Sequence, residues 1–141
     1  MGMFEVKAKV ANLAAPTQTE EVTLLVNTGT TLSWIPREVL NCMDATVFSR
    51  LPFELADGRR LKRDITTVLL TVDGRKAPVT VAFGEAGEAA VLGATALESL
   101  GLLVDPVAQK LIPRNLRMLR ALEQTRLSPR ISLRKDLVCL P

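Results

Sequence analysis

The sequence contains no histidine among its 141 residues. This absence excludes serine–histidine–aspartate and cysteine–histidine catalysis, histidine general bases and zinc sites that use histidine. Only two cysteines are present, so one chain cannot build an all-cysteine zinc site. Any hydrolytic chemistry must therefore rest on carboxylates, on lysine or on a metal site of unfamiliar pattern. We expect no metal and no cofactor.

Aromatic residues are also scarce, at 4% of the chain, and tyrosine is missing. The core must therefore be aliphatic, and its β-branched members favour strands. Hydrophobic residues make up 48% and charged residues 23% of the chain, which is the composition of a globular protein.

Long apolar runs are absent as well, so no segment approaches the roughly 18 to 20 residues that a membrane span needs. Glu5, Lys7 and Lys9 interrupt the only place where the core of a signal peptide could lie. We therefore expect a cytoplasmic protein with no membrane partner. In that compartment Cys42 and Cys139 are expected to be buried or idle thiols rather than a disulfide.

Positive charge is concentrated in the last part of the chain. Residues 114–141 contain seven basic and two acidic residues, a net charge of +5, whereas the whole chain carries +3. Residues 1–113 therefore carry −2. We predict a domain over 1–113 and a basic extension over 114–141, with a helix over 114–125 or a flexible segment. We do not expect nucleic-acid binding to be the main function, because the extension has no aromatic residues for base stacking.

Residues 1–113 show the pattern of a β-rich domain with frequent hairpins. Asp57-Gly58 and Asp73-Gly74 are strong hairpin signals. Helices are expected only over 36–41, with Pro36 in the first turn, and over 93–100, ended by Gly101. The pattern is typical of a small barrel or an orthogonal sheet. Strands are predicted over 3–13, 21–27, 47–55, 61–72, 76–83, 89–92, 102–104 and 110–112.

Two segments carry the chemical information. In the first, the apolar run 24–26 leads into Asn27-Thr28-Gly29, and Ser33 to Pro36 follow a short polar loop. This order resembles the active-site loop of aspartic proteases, in which apolar residues precede Asp-Thr/Ser-Gly. In the second, residues 90–93 (Ala-Val-Leu-Gly) lead into the predicted helix, which resembles the later hallmark of the same family.

The spacing of the two segments is similar to that of a single retropepsin lobe, and the resemblance covers about Phe4 to Pro113. It is strongest toward the small retropepsin-like proteins of prokaryotes. It implies an all-β fold, a small closed acid-protease barrel with one or two short helices. Because one chain carries only one such loop, it also implies a two-fold homodimer.

The resemblance assigns roles to residues. Asn27, Thr28 and Gly29 would form the catalytic loop, with Thr28 locking the two loops of the dimer and Gly29 adopting an unusual φ close to other backbone. Trp34 would be a core residue or a pocket wall. Peptide-binding positions would be Leu25, Thr30, Leu55, Ala56, Asp57, Gly58 and Val91, of which the Asp57-Gly58 hairpin would be the flap.

Asn27 departs from the family pattern, because asparagine cannot act as a carboxylate acid or base. The resemblance therefore implies an aspartic endopeptidase that cleaves extended peptides, here inactive. A deliberate substitution or a natural loss of the aspartate would each account for Asn27, and the intact surroundings favour the former. The alternatives are a natural pseudoprotease that binds peptides as a dimer, and nucleic-acid binding through residues 114–141.

Overall fold

The computed structural model describes residues 3–116 and 118. Nine strands and two short helices occur within this part of the chain. The helices are α1 (Arg37–Cys42) and α2 (Ala94–Leu100). The strands are β1 (Glu5–Ala11), β2 (Thr19–Val26), β3 (Ser33–Pro36), β4 (Ser49–Glu54), β5 (Arg60–Val72), β6 (Arg75–Gly84), β7 (Val91–Leu92), β8 (Leu102–Asp105) and β9 (Lys110–Pro113).

Six of these strands close into a barrel, which confirms the predicted mainly β architecture. The order β1-β2-β7-β3-β6-β5 forms one sheet, and pairing of β1 with β5 joins its two ends. The closing pair is antiparallel, with Val10 opposite Leu70. The closing ladders are short, since β1 and β5 share three residue pairs and β2 and β7 share two, so the ring is closed over only part of the length of its strands.

The strand β5 is longer than the barrel wall and belongs to two ladders. Its second part, from Ile65 to Val72, pairs with β6. Its first part, from Arg60 to Ile65, pairs with β4. The β4–β5 hairpin therefore extends beyond the barrel as an arm, and we call residues 49–65 the hairpin arm.

The interior of the barrel is aliphatic, as the shortage of aromatic residues predicts. Along β5 the side chains alternate, so Thr66, Val68, Leu70 and Val72 are buried. Phe83 is the largest fully buried side chain. The helix α2 packs on this core through Ala96, Leu97 and Leu100, all of which are buried.

Turn chemistry explains the connections that the sequence predicts correctly. Asp73 and Gly74 both have positive φ, 51° and 76°, as a two-residue type I′ hairpin requires. Gly58 has φ 88° at the end of the hairpin arm. Gly101 ends α2 in the left-handed conformation with φ 68°, as predicted.

The structure differs from the sequence expectations at Pro36 and at Cys42. Pro36 is the last residue of β3 and the N-cap of α1, not its first helical residue, because its ψ of 137° is extended. Cys42 is exposed at the end of α1 and not buried. Cys139 and most of the predicted helix over 114–125 lie outside the described residues. No helix within residues 3–116 and 118 is long and apolar enough to cross a lipid bilayer.

Candidate functional site

Asn27 lies directly after β2, at the point where the apolar strand becomes a loop. Its backbone N–H donates to the carbonyl of Leu92, at 3.0 Å. Its side-chain Oδ1 accepts a hydrogen bond from the backbone N–H of Gly29, at 2.9 Å. This short local ring is an Asx turn. The amide is therefore held in one orientation, and an aspartate carboxylate could accept the same hydrogen bond.

The start of α2 is joined to the loop after Asn27 by a set of hydrogen bonds. The N–H of Gly93 donates to the buried Oγ of Ser33, at 2.9 Å. The N–H of Ala94 donates to the carbonyl of Thr30, at 2.8 Å. Thr95 donates to the Thr31 carbonyl through both its N–H and its Oγ1, at 3.1 and 2.9 Å. Backbone donors in the first turn of a helix need such outside partners.

Gly93 permits this junction because it has no side chain. A Cβ atom at this position would lie 2.7 Å from the carbonyl oxygens of Thr30 and of Leu32.

Gly29 differs from its expectation. It is not among the glycines with positive φ, so the prediction of an unusual φ is wrong. A Cβ at Gly29 would lie 3.2 Å from Oδ1 of Asn27, so close approach is its constraint.

A cleft of about 1060 Å³ opens between the Asn27 loop and the hairpin arm. Its aromatic wall consists of Trp34 and Phe53, whose ring centres are 5.1 Å apart and tilted by 58°. The guanidinium of Arg63 lies over the Trp34 ring, 5.8 Å from its centre. The lining residues are Asn27, Gly29, Thr30, Thr31, Leu32, Trp34, Leu51, Pro52, Phe53, Glu54, Leu55, Ala56, Leu61, Glu88, Ala89 and Val91.

The cleft contains six of the ten residues that the sequence analysis assigned to a site: Asn27, Gly29, Thr30, Leu55, Ala56 and Val91. Leu25, Thr28, Asp57 and Gly58 are not part of its lining. Leu25 is half-buried and lies opposite Val91 in the β2–β7 ladder. Thr28 is exposed. Asp57 and Gly58 form the tip of the arm, where Asp57 accepts a hydrogen bond from Arg59, at 2.7 Å.

Sequence reasoning did not assign Phe53, Glu54, Leu61 or Glu88 to the cleft. Phe53 and Leu61 are cross-strand partners in the hairpin arm, so the apolar alternation of β4 and β5 was the available signal. Glu88 carried no signal, because its place depends on a turn between β6 and β7.

Among residues 3–116 and 118 no three side chains of histidine, cysteine, aspartate or glutamate are grouped to hold a metal.

Ion pairs fasten the base of the hairpin arm to the barrel. Arg37, at the start of α1, contacts Asp64 of β5 at 3.0 Å and Glu85 at 2.8 Å. Arg50 of β4 contacts the other oxygen of Asp64, at 3.1 Å. Arg37 also lies over the Phe83 ring, 4.5 Å from its centre.

The arginines shift the acid–base equilibria of these carboxylates. Hydrogen bonds from Arg37 and Arg50 hold the pKa of Asp64 below its usual value. The hydrogen bond from Arg37 also lowers the pKa of Glu85. Burial alone would raise the pKa of Glu88. Hydrogen bonds from Arg63 and from the N–H of Glu85 outweigh that effect, so the pKa of Glu88 lies below its usual value.

We expect Asp64→Asn to destabilise the protein at neutral pH by no more than about 1 kcal/mol, because the ion pairs are partly exposed. A lowered pKa stabilises the fold above the ordinary carboxyl pKa near 4 and loses this effect as the pH falls through the folded-state value. Urea unfolding from neutral pH to about pH 3 should show the difference between the two proteins shrinking below about pH 4. Glu20→Gln is the control, since Glu20 is exposed and has no ion pair among the described residues. A difference that is the same at every pH would contradict this prediction.

We expect Gly93→Ala to lower the free energy of unfolding by about 1–3 kcal/mol, because the added methyl group meets backbone carbonyls that cannot move independently. Gly84→Ala is the matched control. There the nearest atom to a new Cβ is the Ile35 carbonyl oxygen, at 3.4 Å, which is an ordinary contact. Denaturant titration of both variants measures the contrast, and equal stabilities would show that the junction tolerates a side chain.

Three comparisons with known proteins complete the description of the site. No protein-family model matches the chain, and no curated protein matches it. Among solved structures, the chain is similar to the solution structure of the simian foamy virus (mac) protease, with 16% sequence identity and a TM-score of 0.49. The match covers 67% of this chain and 92% of that one.

Proposed function

We propose that this chain is one lobe of a retropepsin-like aspartic protease, with asparagine at the position of the catalytic aspartate. In this proposal two copies form a symmetric dimer, and the cleft binds extended peptides between the Asn27 loops and the two hairpin arms. With aspartate at position 27 the dimer would hydrolyse peptide bonds. With Asn27 it binds peptides and cleaves them very slowly or not at all.

The position of Asn27 is the observation that carries this proposal. It lines a cleft that is large enough for several peptide residues, beneath a hairpin that extends from the barrel. Its backbone is held by Leu92 and its side chain by Gly29, so the functional group is fixed before any ligand binds. Both sequence segments that resemble the protease family meet here, through the bonds between residues 27–33 and 92–95.

The chemistry of the family explains the need for a second copy. Two carboxylates about 3 Å apart share one proton, so one acts as a base toward water while the other donates a proton to the peptide carbonyl. A single lobe supplies one such group. Thr28 is exposed, and its hydroxyl makes no hydrogen bond within the described residues. In a dimer it could bond to the partner's loop.

Asn27 changes the chemistry without changing the shape. Its amide nitrogen can only donate hydrogen bonds, and its oxygen is a much weaker base than a carboxylate. A water molecule between two such amides has no group that can remove its proton. The like-charge repulsion of a carboxylate pair is also absent. Asparagine in the dimer therefore favours stable association and peptide binding over hydrolysis.

Asn27→Asp should restore peptide cleavage at mildly acidic pH, with a rate at least about 10²-fold above that of the unchanged chain, because it returns the general base. Mass spectrometry of a peptide library incubated with each protein would detect the products. Asn41→Asp provides the control, since it makes the same chemical change at an exposed position on α1, away from the cleft. If the Asn27→Asp protein is folded and dimeric yet cleaves nothing, the protease assignment fails.

A mixing experiment tests the shared site. When the Asn27→Asp protein is diluted with the unchanged chain at constant total concentration, subunits exchange and many dimers carry one carboxylate. Because both carboxylates are needed, activity should fall as the square of the Asn27→Asp fraction. Initial cleavage rates across the series measure the exponent. A linear decrease, or sedimentation of both proteins as monomers of 15.4 kDa, would contradict the dimeric site.

A second candidate function is peptide binding without catalysis, and Asn27 itself favours it. If the natural protein carries asparagine at this position, the cleft, the hairpin arm and the dimer would serve recognition alone. Nucleic-acid binding through residues 114–141 is not proposed, since this basic segment has no aromatic residues for base stacking.

A further inference from the structure

The hairpin arm has two faces of different chemistry. Side chains alternate along its paired strands, so Leu51, Phe53, Leu61 and Arg63 share one face. This face is directed to the cleft, because the three apolar residues line it. The opposite face carries the charged residues Arg50, Glu54, Arg60, Lys62 and Asp64. Arg63 is therefore the only charged residue that the paired strands 49–54 and 60–65 place on the cleft face.

The guanidinium of Arg63 joins three parts of the molecule. It forms an ion pair with Glu88, which lies in the turn between β6 and β7. It also lies over the ring of Trp34, which belongs to β3. A third contact, to the carbonyl of Lys62 at 2.9 Å, stays within its own strand. One side chain thus links the arm to the turn after β6 and to the aromatic wall of the cleft.

This ion pair is better shielded from water than the other ion pairs of the arm. The side chain of Arg63 is 18% exposed, whereas the arginines of the other pairs are at least 31% exposed. The carboxylate of Glu88 also accepts a hydrogen bond from the N–H of Glu85, at 2.7 Å. A carboxylate held by two donors keeps its orientation and so fixes the guanidinium that it contacts.

We infer that Arg63 is a positioning residue of the cleft, which through its ion pair with Glu88 holds the hairpin arm and the Trp34 ring in the arrangement that receives a peptide. This inference rests on the proposed peptide-binding function. Without the ion pair the arm would occupy additional positions, and only a fraction of the molecules would be ready to bind. A partly exposed ion pair of this kind changes affinity by about two- to fivefold.

The tie between Arg63 and Glu88 should depend on pH. The other charged groups near Glu88 are Glu85 in the same turn and Arg37 of α1, which pairs with Glu85. The loop over residues 27–32, which also lines the cleft, has no charged residue. Burial raises the pKa of Glu88, but the hydrogen bonds outweigh it and the pKa lies below its usual value. The tie is therefore intact above the ordinary carboxyl pKa near 4 and is lost as the pH falls through the lower folded-state value.

Trp34 reports on this tie directly, because it is the single tryptophan of the chain and its ring lies under the Arg63 guanidinium. We expect the fluorescence of the full chain to change between about pH 4.5 and about pH 3, and Glu88→Gln to lack this change. Asp64→Asn is the matched control, since it removes an arginine-paired carboxylate from the opposite face of the arm and should keep the change. The comparison covers the pH range in which circular dichroism shows all three proteins folded. If Glu88→Gln keeps the change, or Asp64→Asn loses it, the inference is wrong.

Calorimetry at neutral pH measures the effect on binding. The probes are synthetic nonapeptides in which apolar and small residues alternate, titrated into the full chain. We expect Arg63→Gln and Glu88→Gln each to weaken binding about two- to fivefold, and the double variant to lose no more than either one, because both changes remove the same interaction. Arg63→Lys keeps a positive charge and should retain more affinity than Arg63→Gln. Arg60→Gln removes the same charge from the opposite face of β5 and should bind as the unchanged chain does.

The outcomes separate this inference from the proposed function. If the unchanged chain binds a peptide and both single variants bind it equally well, Arg63 does not position the cleft, while peptide binding stands. The same holds if the losses of the two single variants add in the double variant. If the unchanged chain binds none of the peptides, the peptide-binding function fails, and this inference fails with it even where Trp34 fluorescence shows that the ion pair is present.

Discussion

Two backbone segments that are about 60 residues apart in sequence touch directly at Gly93, and the rest of the site depends on that contact. The carbonyls of Thr30 and Leu32 come so close to Gly93 that no side chain fits between them. The loop also supplies acceptors to the first turn of α2, and α2 packs on the core through Ala96, Leu97 and Leu100. The loop gains a fixed support, and the helix gains partners for donors that would otherwise be unpaired.

This junction explains how a small aliphatic barrel presents a polar group in a defined place. The short strand β7 lies between β2 and β3, parallel to one and antiparallel to the other. It therefore fixes the two ends of the Asn27 loop at once. The loop has no regular structure of its own, yet its ends and its middle are all hydrogen-bonded to elements of the core. Rigid placement of this kind is what a catalytic or binding group requires.

The sequence predicts the elements well where local chemistry decides them. The Asp-Gly pairs at 57–58 and 73–74 specify hairpins, and Gly101 specifies a helix end, because Gly58, Asp73, Gly74 and Gly101 all have a positive φ. The resemblance to a known active-site loop also directs attention to Asn27, which lies in the cleft. For Gly29 the expected unusual φ is wrong, whereas close approach is its constraint, here to the Asn27 side chain and not to backbone.

Other parts of the site could not be read from the sequence, because they depend on contacts between distant residues. Nothing local to Glu88 indicates that it pairs with Arg63 across the cleft wall. Likewise, the tilted contact between Phe53 and Trp34 depends on where the hairpin arm lies relative to the Asn27 loop, which the sequence does not show. Leu25 was predicted to form a pocket wall together with Val91. Its ladder partner Val91 lines the cleft, whereas Leu25 does not.

The continuity of β5 has a mechanical consequence. Ile65 is the one residue of this strand that pairs with both β4 and β6. The arm and the barrel wall are therefore parts of one continuous strand that meet at that residue. No loop separates the arm from the barrel along β5. A movement of the arm away from the Asn27 loop would change the bend or twist of β5 near Ile65. The ion pairs of Asp64 with Arg37 and Arg50 lie immediately beside this residue. Any displacement of the arm would therefore be transmitted along β5 to the residues that pair with β1 and close the barrel.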